Sequence, residues 1–308
     1  MDVVTGAFGY IGRYITAELL NKERKVKTIT THVNKPNPFG PAVEAFAYDF
    51  DQPKRLVETL QGVDTFYNTY WIRFPHGDVT FEKAVENSKI LFDCAAQAGI
   101  RRFVHISVTH ASPESPLPYY AGKGRQEELL KASGVPYSIV RPTLVFGKED
   151  ILVNKIAWLI RKFPLFPVAG DGKYRLQPVY VSDLAEIVVR QAQAPASATI
   201  DAIGPESCTY REMVELIAEA VGRRIFFVRT PPKMTILLGR AAGLMVKDVV
   251  LTHNELRGLM NNYLTSQQAP NGKTRFSDWL VGNSQTVGSA YSSELDRHFH
   301  WTKEKALP

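Results

Sequence analysis

The opening stretch Met1-Asp-Val-Val-Thr-Gly6-Ala-Phe-Gly9-Tyr-Ile-Gly12-Arg13 constrains the fold of this chain more than any other. A short apolar strand (Val3, Val4) runs straight into glycines at positions 6, 9 and 12. Ile11, Ile15 and Leu19 then recur at the four-residue spacing of one helix face. Strand, glycine turn and helix together aim backbone N–H groups and a helix N-terminus at an anion. Gly6 permits the tight turn, Gly9 lets a pyrophosphate approach the backbone, and Gly12 lets the helix sit close on the sheet. The GxxGxxG spacing between a strand and a helix therefore predicts a dinucleotide cradle, with Phe8, Tyr10 and Ile11 completing its rim.

Strand-like runs then alternate with helical ones. Val3–Thr5, Val26–Thr30, Ala45–Tyr48, Thr65–Tyr70, Phe103–Val108, Ser138–Arg141 and Thr199–Ile203 read as strands, and 11–21, 53–61, 79–98, 119–133 and 182–193 as helices. That order predicts an α/β fold with a doubly wound parallel sheet, a Rossmann architecture, carrying ligands at the carboxyl ends of its strands. Residues 1–148 with 175–205 are expected to form the cofactor-binding domain. Residues 149–174 with 206–308 are expected to form a smaller, mostly helical, substrate-facing domain. In it a helix over Ile151–Phe163 ends at Pro164-Leu-Phe-Pro167, and helical patterns from Tyr210 onward break at Pro231-Pro232 and Pro270-Asn-Gly272.

Composition excludes several classes. With 308 residues, 44% hydrophobic and 22% charged, the chain reads as globular. The net charge of +6 comes from scattered cations, so an anionic cofactor suffices to explain it and no nucleic-acid partner is expected. Two cysteines make no disulfide framework, which predicts a reducing compartment; Cys94 reads as a small core residue. No charged and apolar leader precedes the first strand, so a cytoplasmic location is expected. No apolar run reaches the roughly 20 residues of a membrane span, and no membrane partner is expected. Seven histidines, His298-Phe-His300 among them, show no metal spacing, so no metal is expected. A small-molecule substrate and a homodimer are both compatible with this pattern.

An NAD site wants an acid about 20 residues past the glycines, on the ribose hydroxyl. That region reads Thr28-Ile-Thr-Thr31-His32-Val-Asn-Lys35, without an acid. Hydroxyls and cations there suit a 2′-phosphate, and Arg13 in the first helical turn adds a cation where the helix dipole disfavours one unless an anion is near. NADP(H) is therefore favoured over NAD(H). Asp49, just past the third strand, is a candidate for the adenine, with Phe50 beside it; Asp51 is the nearer candidate to cap the helix that follows. Asn68, ending the fourth strand, is a further cofactor candidate.

Hydride transfer to a carbonyl needs a proton donor at the same carbon. Tyr119 and Lys123 are spaced i, i+4 after the fifth strand, so a helix places them on one face at the ligand edge. An ammonium beside a phenol lowers its pKa towards general-acid range. Ser107 or Thr109 would orient the carbonyl. Gly122 and Gly124 weaken this helix. Tyr70-Trp71-Ile-Arg73-Phe74 would cover a nicotinamide or line an apolar substrate pocket.

These pieces, taken in order, resemble the extended and atypical short-chain dehydrogenase/reductases. The likeness is strongest to the NmrA-like and complex I 39-kDa-subunit-like branch, whose members are often labelled NAD-dependent epimerase/dehydratase. The residues that carry it are Gly6-Ala-Phe-Gly9-Tyr-Ile-Gly12, Asn87 in Val-Glu-Asn-Ser, Arg102-Phe-Val-His-Ile-Ser107 and Tyr119 with Lys123. Val140-Arg-Pro-Thr-Leu-Val-Phe-Gly147 and Pro178-Val-Tyr-Val-Ser-Asp183 extend it, so that it spans about residues 1–205. The resemblance implies that Tyr119 and Lys123 form the catalytic pair, that Lys123 also holds the cofactor ribose, and that Arg141-Pro142 through Gly147, with Pro142, Thr143 and Phe146 as cofactor contacts, line the nicotinamide. It further implies that Asp183 helps hold the substrate domain. The expected activity is NADPH-dependent reduction of a small carbonyl or quinone-like substrate, or epimerase/dehydratase chemistry with the same residues. Relatives in this branch also act as cofactor sensors or assembly factors without chemistry. Two departures stand out: the chain after 205 lacks the tail associated with nucleotide-sugar epimerases, and Asn68-Thr-Tyr-Trp71 replaces a small alanine-rich turn.

Overall fold

The computed structural model describes residues 1–298, and His300 lies outside them. The chain packs as two compact units, Met1–Pro142 with Val181–Ala202, and Thr143–Tyr180 with the chain from Ile203 onward.

In chain order the first unit comprises β1 (Asp2–Thr5), α1 (Tyr10–Asn21), β2 (Val26–Thr30), β3 (Val43–Ala47), α2 (Pro53–Leu60) and β4 (Thr65–Asn68). It continues with α3 (Phe81–Gln97), β5 (Arg102–Ile106), α4 (Pro118–Ala132) and β6 (Tyr137–Pro142). The chain then contributes β7 (Leu144–Phe146), α5 (Leu152–Lys162), β8 (Leu165–Ala169), β9 (Arg175–Leu176) and β10 (Pro178–Tyr180) to the second unit. It returns to the first for α6 (Val181–Gln191) and β11 (Ala198–Ala202). The rest of the second unit is β12 (Cys208–Thr209), α7 (Tyr210–Ala220), β13 (Phe226–Thr230), α8 (Pro232–Val246), α9 (His253–Met260), α10 (Phe276–Asn283) and α11 (Glu294–His298).

Seven parallel strands in the order β11-β6-β5-β4-β1-β2-β3 make the expected doubly wound sheet. The strand order reverses between β1 and β4, and the carboxyl ends of those strands are where such sheets bind ligands. Because helices cover both faces, the central strands are buried throughout, their polar residues Asp2, Asn68, Arg102 and His105 included. One layer of the core is aromatic: Phe66 stacks on Phe103 at 4.6 Å and Phe92 meets Phe103 edge-on at 5.2 Å. All three rings are fully buried, each worth about 1.5–3 kcal/mol of transfer free energy. Cys94 packs in the same core.

The structure departs from the sequence reading in three places. The division between units falls at Pro142, Tyr180 and Ala202, because β7 and β10 pair with each other in a separate two-stranded sheet. Residues 226–230, read as part of a helical region, form β13, which pairs in parallel with β8 just after the α5 breaker. Phe226-Phe-Val is a β-prone run whose partner lies some sixty residues away in sequence, so local periodicity could not reveal it. Gln52, without a side-chain cap, starts α2, so Asp51 does not cap it.

The core of the second unit gathers Phe146, Phe276, Trp279, Met213 and Ile217 from β7, α7 and α10. Elsewhere in this unit the Lys155 ammonium lies 2.7 Å from the Asp248 carboxylate, which also accepts from the Tyr291 hydroxyl and from the N–H groups of Glu294 and Leu295.

Candidate functional site: a dinucleotide cradle and an aromatic-capped lysine

The glycine loop is held from three sides. Gly6 adopts φ +64°, a left-handed conformation that glycine tolerates without strain. Its carbonyl accepts the Gly9 N–H at 2.8 Å. From β2, the Thr28 hydroxyl donates to the Val4 carbonyl at 2.8 Å and accepts the Ala7 N–H at 3.1 Å. A Cβ on Gly12 would lie 2.2 Å from the Gly6 carbonyl oxygen, so α1 touches the turn at a distance only glycine allows. Gly9 caps α1 with no side chain, and the first turn has no acidic residue. The positive end of the helix dipole therefore opens on the loop, a cradle that fits two linked phosphates.

Around the loop, Phe8 is buried, and Tyr10, Ile11 and Arg13 are half-buried. Thr31 and His32 follow β2 and are exposed, and the backbone turns so that the Lys35 N–H bonds the His32 carbonyl at 3.0 Å. Asp49 sits at φ +45° with its carboxylate 3.8 Å from Arg55. Phe50 stacks on Tyr48 at 4.8 Å, and both rings meet Tyr70, whose hydroxyl accepts from the Asn87 amide at 2.9 Å. Burial raises the pKa of Tyr48 and Tyr70, so both hydroxyls stay protonated at neutral pH.

Asn68 is fully buried and works as a brace. Its carbonyl oxygen accepts from the Thr5 hydroxyl and the Tyr70 N–H, and its amide meets His105 Nδ1 at 3.0 Å. The Thr69 hydroxyl and N–H bond the Thr5 carbonyl and hydroxyl, so the ends of β1, β4 and β5 are tied under the site. Burial, with Lys123 nearby, lowers the His105 pKa well below the ordinary range, and its ring is neutral.

Helix α4 brings Tyr119 and Lys123 to one face, and Trp71 from the segment after β4 touches both. The Trp71 ring meets Tyr119 edge-on at 6.0 Å, stacks on Phe81 at 5.6 Å, and carries the Lys123 ammonium 5.0 Å from its centroid. Lys123 is almost fully buried and donates to the Ile106 carbonyl at 2.7 Å. The two helix glycines have a reason: a Cβ on Gly122 would lie 2.5 Å from the indole, and one on Gly124 would lie 2.3 Å from the Ser112 carbonyl carbon. Among the described residues the buried indole Nε1 has no hydrogen-bond partner.

Burial pushes the Lys123 pKa down to about 7, and Glu127 opposes the shift. The unfolded chain holds that proton up to about pH 10.4, so between the two values unfolding takes up a proton. The contribution of this group to stability therefore rises from pH 7 towards 10. Urea midpoints of the protein at pH 7 and 9 are expected to show that rise, and Lys123→Met to remove it.

The serine next to this pair is committed elsewhere. The Ser107 hydroxyl donates to Glu127 at 2.5 Å, and Arg141 grips the same carboxylate with both arms of its guanidinium, at 2.8 and 2.5 Å. Thr109, equally buried, has its hydroxyl 3.5 Å from the Pro142 carbonyl. Pro142 ends β6. Thr143 begins the second unit, where its hydroxyl donates to the Gln177 carbonyl. Phe146 is fully buried among Phe276, Trp279 and Tyr180, a core position and not a surface for a cofactor ring. Asp183 lies buried in the first turn of α6.

Sequence reasoning passed over Thr28 and Glu127. The signal for Glu127 was present, since Tyr119, Lys123 and Glu127 recur every four residues on one helix face. Thr28 gave none, because its role depends on pairing between β1 and β2. Among the described residues no group of His, Cys, Asp and Glu could hold a metal, and no helix is long and apolar enough to cross a membrane.

Comparison with known proteins agrees with this geometry. Residues 6–154 match the model of an NAD(P)H-binding family. The NADH-ubiquinone oxidoreductase 40 kDa subunit, mitochondrial, of Neurospora crassa is 27% identical over 240 residues, a match covering 75% of this chain and 63% of that relative. The match thus spans less than two thirds of the relative's length. The triphenylmethane reductase of Citrobacter sp., complexed with NADP(H), superposes with a TM-score of 0.76 at 18% identity, over 92% of this chain and 99% of that one. The NADPH-dependent quinone oxidoreductase of Escherichia coli, complexed with NADPH, gives 0.72 at 17%, over 92% and 99%. At those identities the two structures speak for the fold. In its glycine cradle, parallel sheet and Tyr119–Lys123 helix the chain is similar to the extended short-chain dehydrogenase/reductases, and residues 6–154 match an NAD(P)H-binding domain.

Proposed function

We propose that this protein is an NADPH-dependent reductase of a small, flat, apolar carbonyl or quinone-like compound. The observation that carries this reading is the convergence of Tyr119 and Lys123 on Trp71, at the carboxyl edge of the sheet beside the glycine cradle. Bound NADPH supplies the hydride. Gly6 to Gly12 and the N-terminus of α1 hold the pyrophosphate, and Arg13, Thr31, His32 and Lys35 meet the 2′-phosphate. The absence of an acid from 28 to 35 supports that preference over NADH. Tyr119 gives its phenolic proton to the substrate oxygen, and Lys123 holds the ribose and tunes the phenol. Trp71, Phe81 and Tyr119 offer aromatic faces to a planar substrate. Ser107 or Thr109 orients the carbonyl. The Ser107 hydroxyl is already held by the Glu127 carboxylate in a charge-assisted bond, which a substrate oxygen would have to displace. An epimerase or dehydratase would use the same pair, but the chain after 205 lacks the corresponding tail.

One observation favours a second reading. Ser107 is locked on Glu127, and the Lys123 ammonium is covered by an indole, which suits a protein that senses NADP(H) without turnover. NADPH oxidation over a panel of aldehydes, ketones and quinones separates the two. The reductase reading expects turnover, a loss of about 100-fold or more in kcat for Tyr119→Phe, and little change in NADPH affinity. Tight NADPH binding with no turnover across the panel establishes the sensor. Arg13→Ala with Lys35→Ala is expected to weaken NADPH at least tenfold and to leave NADH unchanged.

A further inference from the structure

Helix α8 in the second unit is built inside out. Its inner side consists of small or short groups: Gly243, where a Cβ would lie 2.5 Å from the Asp248 carbonyl oxygen, Gly239 against Leu251, Thr235 bonded to Thr230, and Ile236 in a minor cluster with Ala169 and Leu256. Its outer side is apolar. Leu244 is 83% exposed, Met245 79%, Leu237 59%, Met234 46% and Leu238 42%. At 100° per residue these five side chains and Ala241 fill one continuous arc of about 120°. Lys233 and Arg240 flank one side of that arc, and Lys247 follows at the C-cap. A monomeric protein seldom leaves such a face to water.

Charge identifies what covers it. From Ala220 to Lys247 the sequence holds Arg223, Arg224, Arg229, Lys233, Arg240 and Lys247 and not one Asp or Glu. A second copy of the same face would bring like charges together, which disfavours self-association. An open cavity of about 390 Å³ sits on the cationic flank, lined by Lys233, Arg240 and His253 with Ile236 and Leu237 as its apolar wall. Cations above an apolar wall, beside an outward stripe of Leu and Met, match an anionic headgroup with acyl chains alongside.

We infer that α8 is a membrane-surface helix, which seats the second unit on bilayers containing anionic phospholipid and takes a headgroup phosphate between Lys233, Arg240 and His253. The helix lies in the interface and does not cross it, so its 15 residues suffice. Nothing in this inference depends on the proposed reductase activity.

The test is co-sedimentation of the full chain with vesicles of phosphatidylcholine alone and of phosphatidylcholine with 30% phosphatidylglycerol. Binding to the anionic vesicles is expected to exceed binding to the neutral ones by at least about tenfold and to weaken from 50 to 500 mM salt. Leu244→Asp with Met245→Asp is expected to abolish it, and Lys233→Glu with Arg240→Glu to lower it about tenfold or more. These side chains are exposed, so the melting temperature and NADPH binding of the variants should match the parent. Inorganic phosphate at 10 mM is expected to leave vesicle binding in place. Displacement by phosphate would mark a free-anion site and overturn the membrane assignment. The inference also fails if neither vesicle binds, or if binding survives both double variants. It fails equally if the protein forms dimers in sedimentation velocity that Leu244→Asp dissolves, since the occupant would then be a second copy.

Discussion

Gly12→Ala is expected to remove nucleotide binding while the seven-stranded sheet still folds. The new Cβ would lie 2.2 Å from the Gly6 carbonyl oxygen and 2.8 Å from its carbon, backbone atoms that cannot swing aside as a side chain can. Relief requires α1 to lift from the turn or Gly6 to rotate. Gly6 is pinned through its carbonyl to Gly9, and the adjoining Ala7 N–H is bonded to Thr28. Either movement displaces the loop N–H groups and the helix N-terminus from the phosphates together. A displacement of this kind costs about 100-fold or more in affinity, about 2.8 kcal/mol at 1.4 kcal/mol per decade. Overpacking itself costs about 1–3 kcal/mol of stability, so the protein should remain folded by circular dichroism with a lowered melting temperature. Calorimetric titration with NADPH is the decisive measurement. An affinity within about threefold of the parent would refute the cradle.

The second large effect belongs to Glu127. Its carboxylate is 2% exposed, receives the Ser107 hydroxyl and both arms of Arg141, and opposes the burial penalty on Lys123. Glu127→Ala leaves a half-buried guanidinium and a buried hydroxyl without the acceptor they share. Breaking a buried ion pair from one side costs about 3–5 kcal/mol, which a urea midpoint will show. The Lys123 pKa should fall further, because the charge that raises it is gone. Ser107→Ala then decides what the serine does. If Ser107 braces the site through Glu127, a double-mutant cycle with Glu127→Ala shows coupling and turnover changes little. If Ser107 orients the substrate, turnover falls steeply at unchanged stability.

Much of this molecule was legible in its residues. The strand–glycine–helix start, the seven sheet strands to within two or three residues and the i, i+4 placement of Tyr119 and Lys123 follow from period and spacing. These are properties of a few consecutive residues. What sequence could not assign were the long-range partners: Glu127 for Ser107, twenty positions away, or β13 for β8, both hidden from any local window. Phe146 shows the same limit, since an aromatic residue near a cofactor and one in a core read alike until the neighbouring elements are in place. The glycines of α4 are the clearest case. As sequence they argue against a helix, whereas in the structure they make room for the Trp71 indole and the backbone at Ser112.

The sequence by itself determined the sheet, its cradle and the helix that carries Tyr119 and Lys123, because hydrogen-bonded secondary structure and glycine sterics act between near neighbours. Only the tertiary structure decided which hydroxyl is already spent, which ring covers the lysine and which side of α8 faces outward. Those outcomes depend on which groups distant in the chain are buried against each other, and burial is a property of the packed whole.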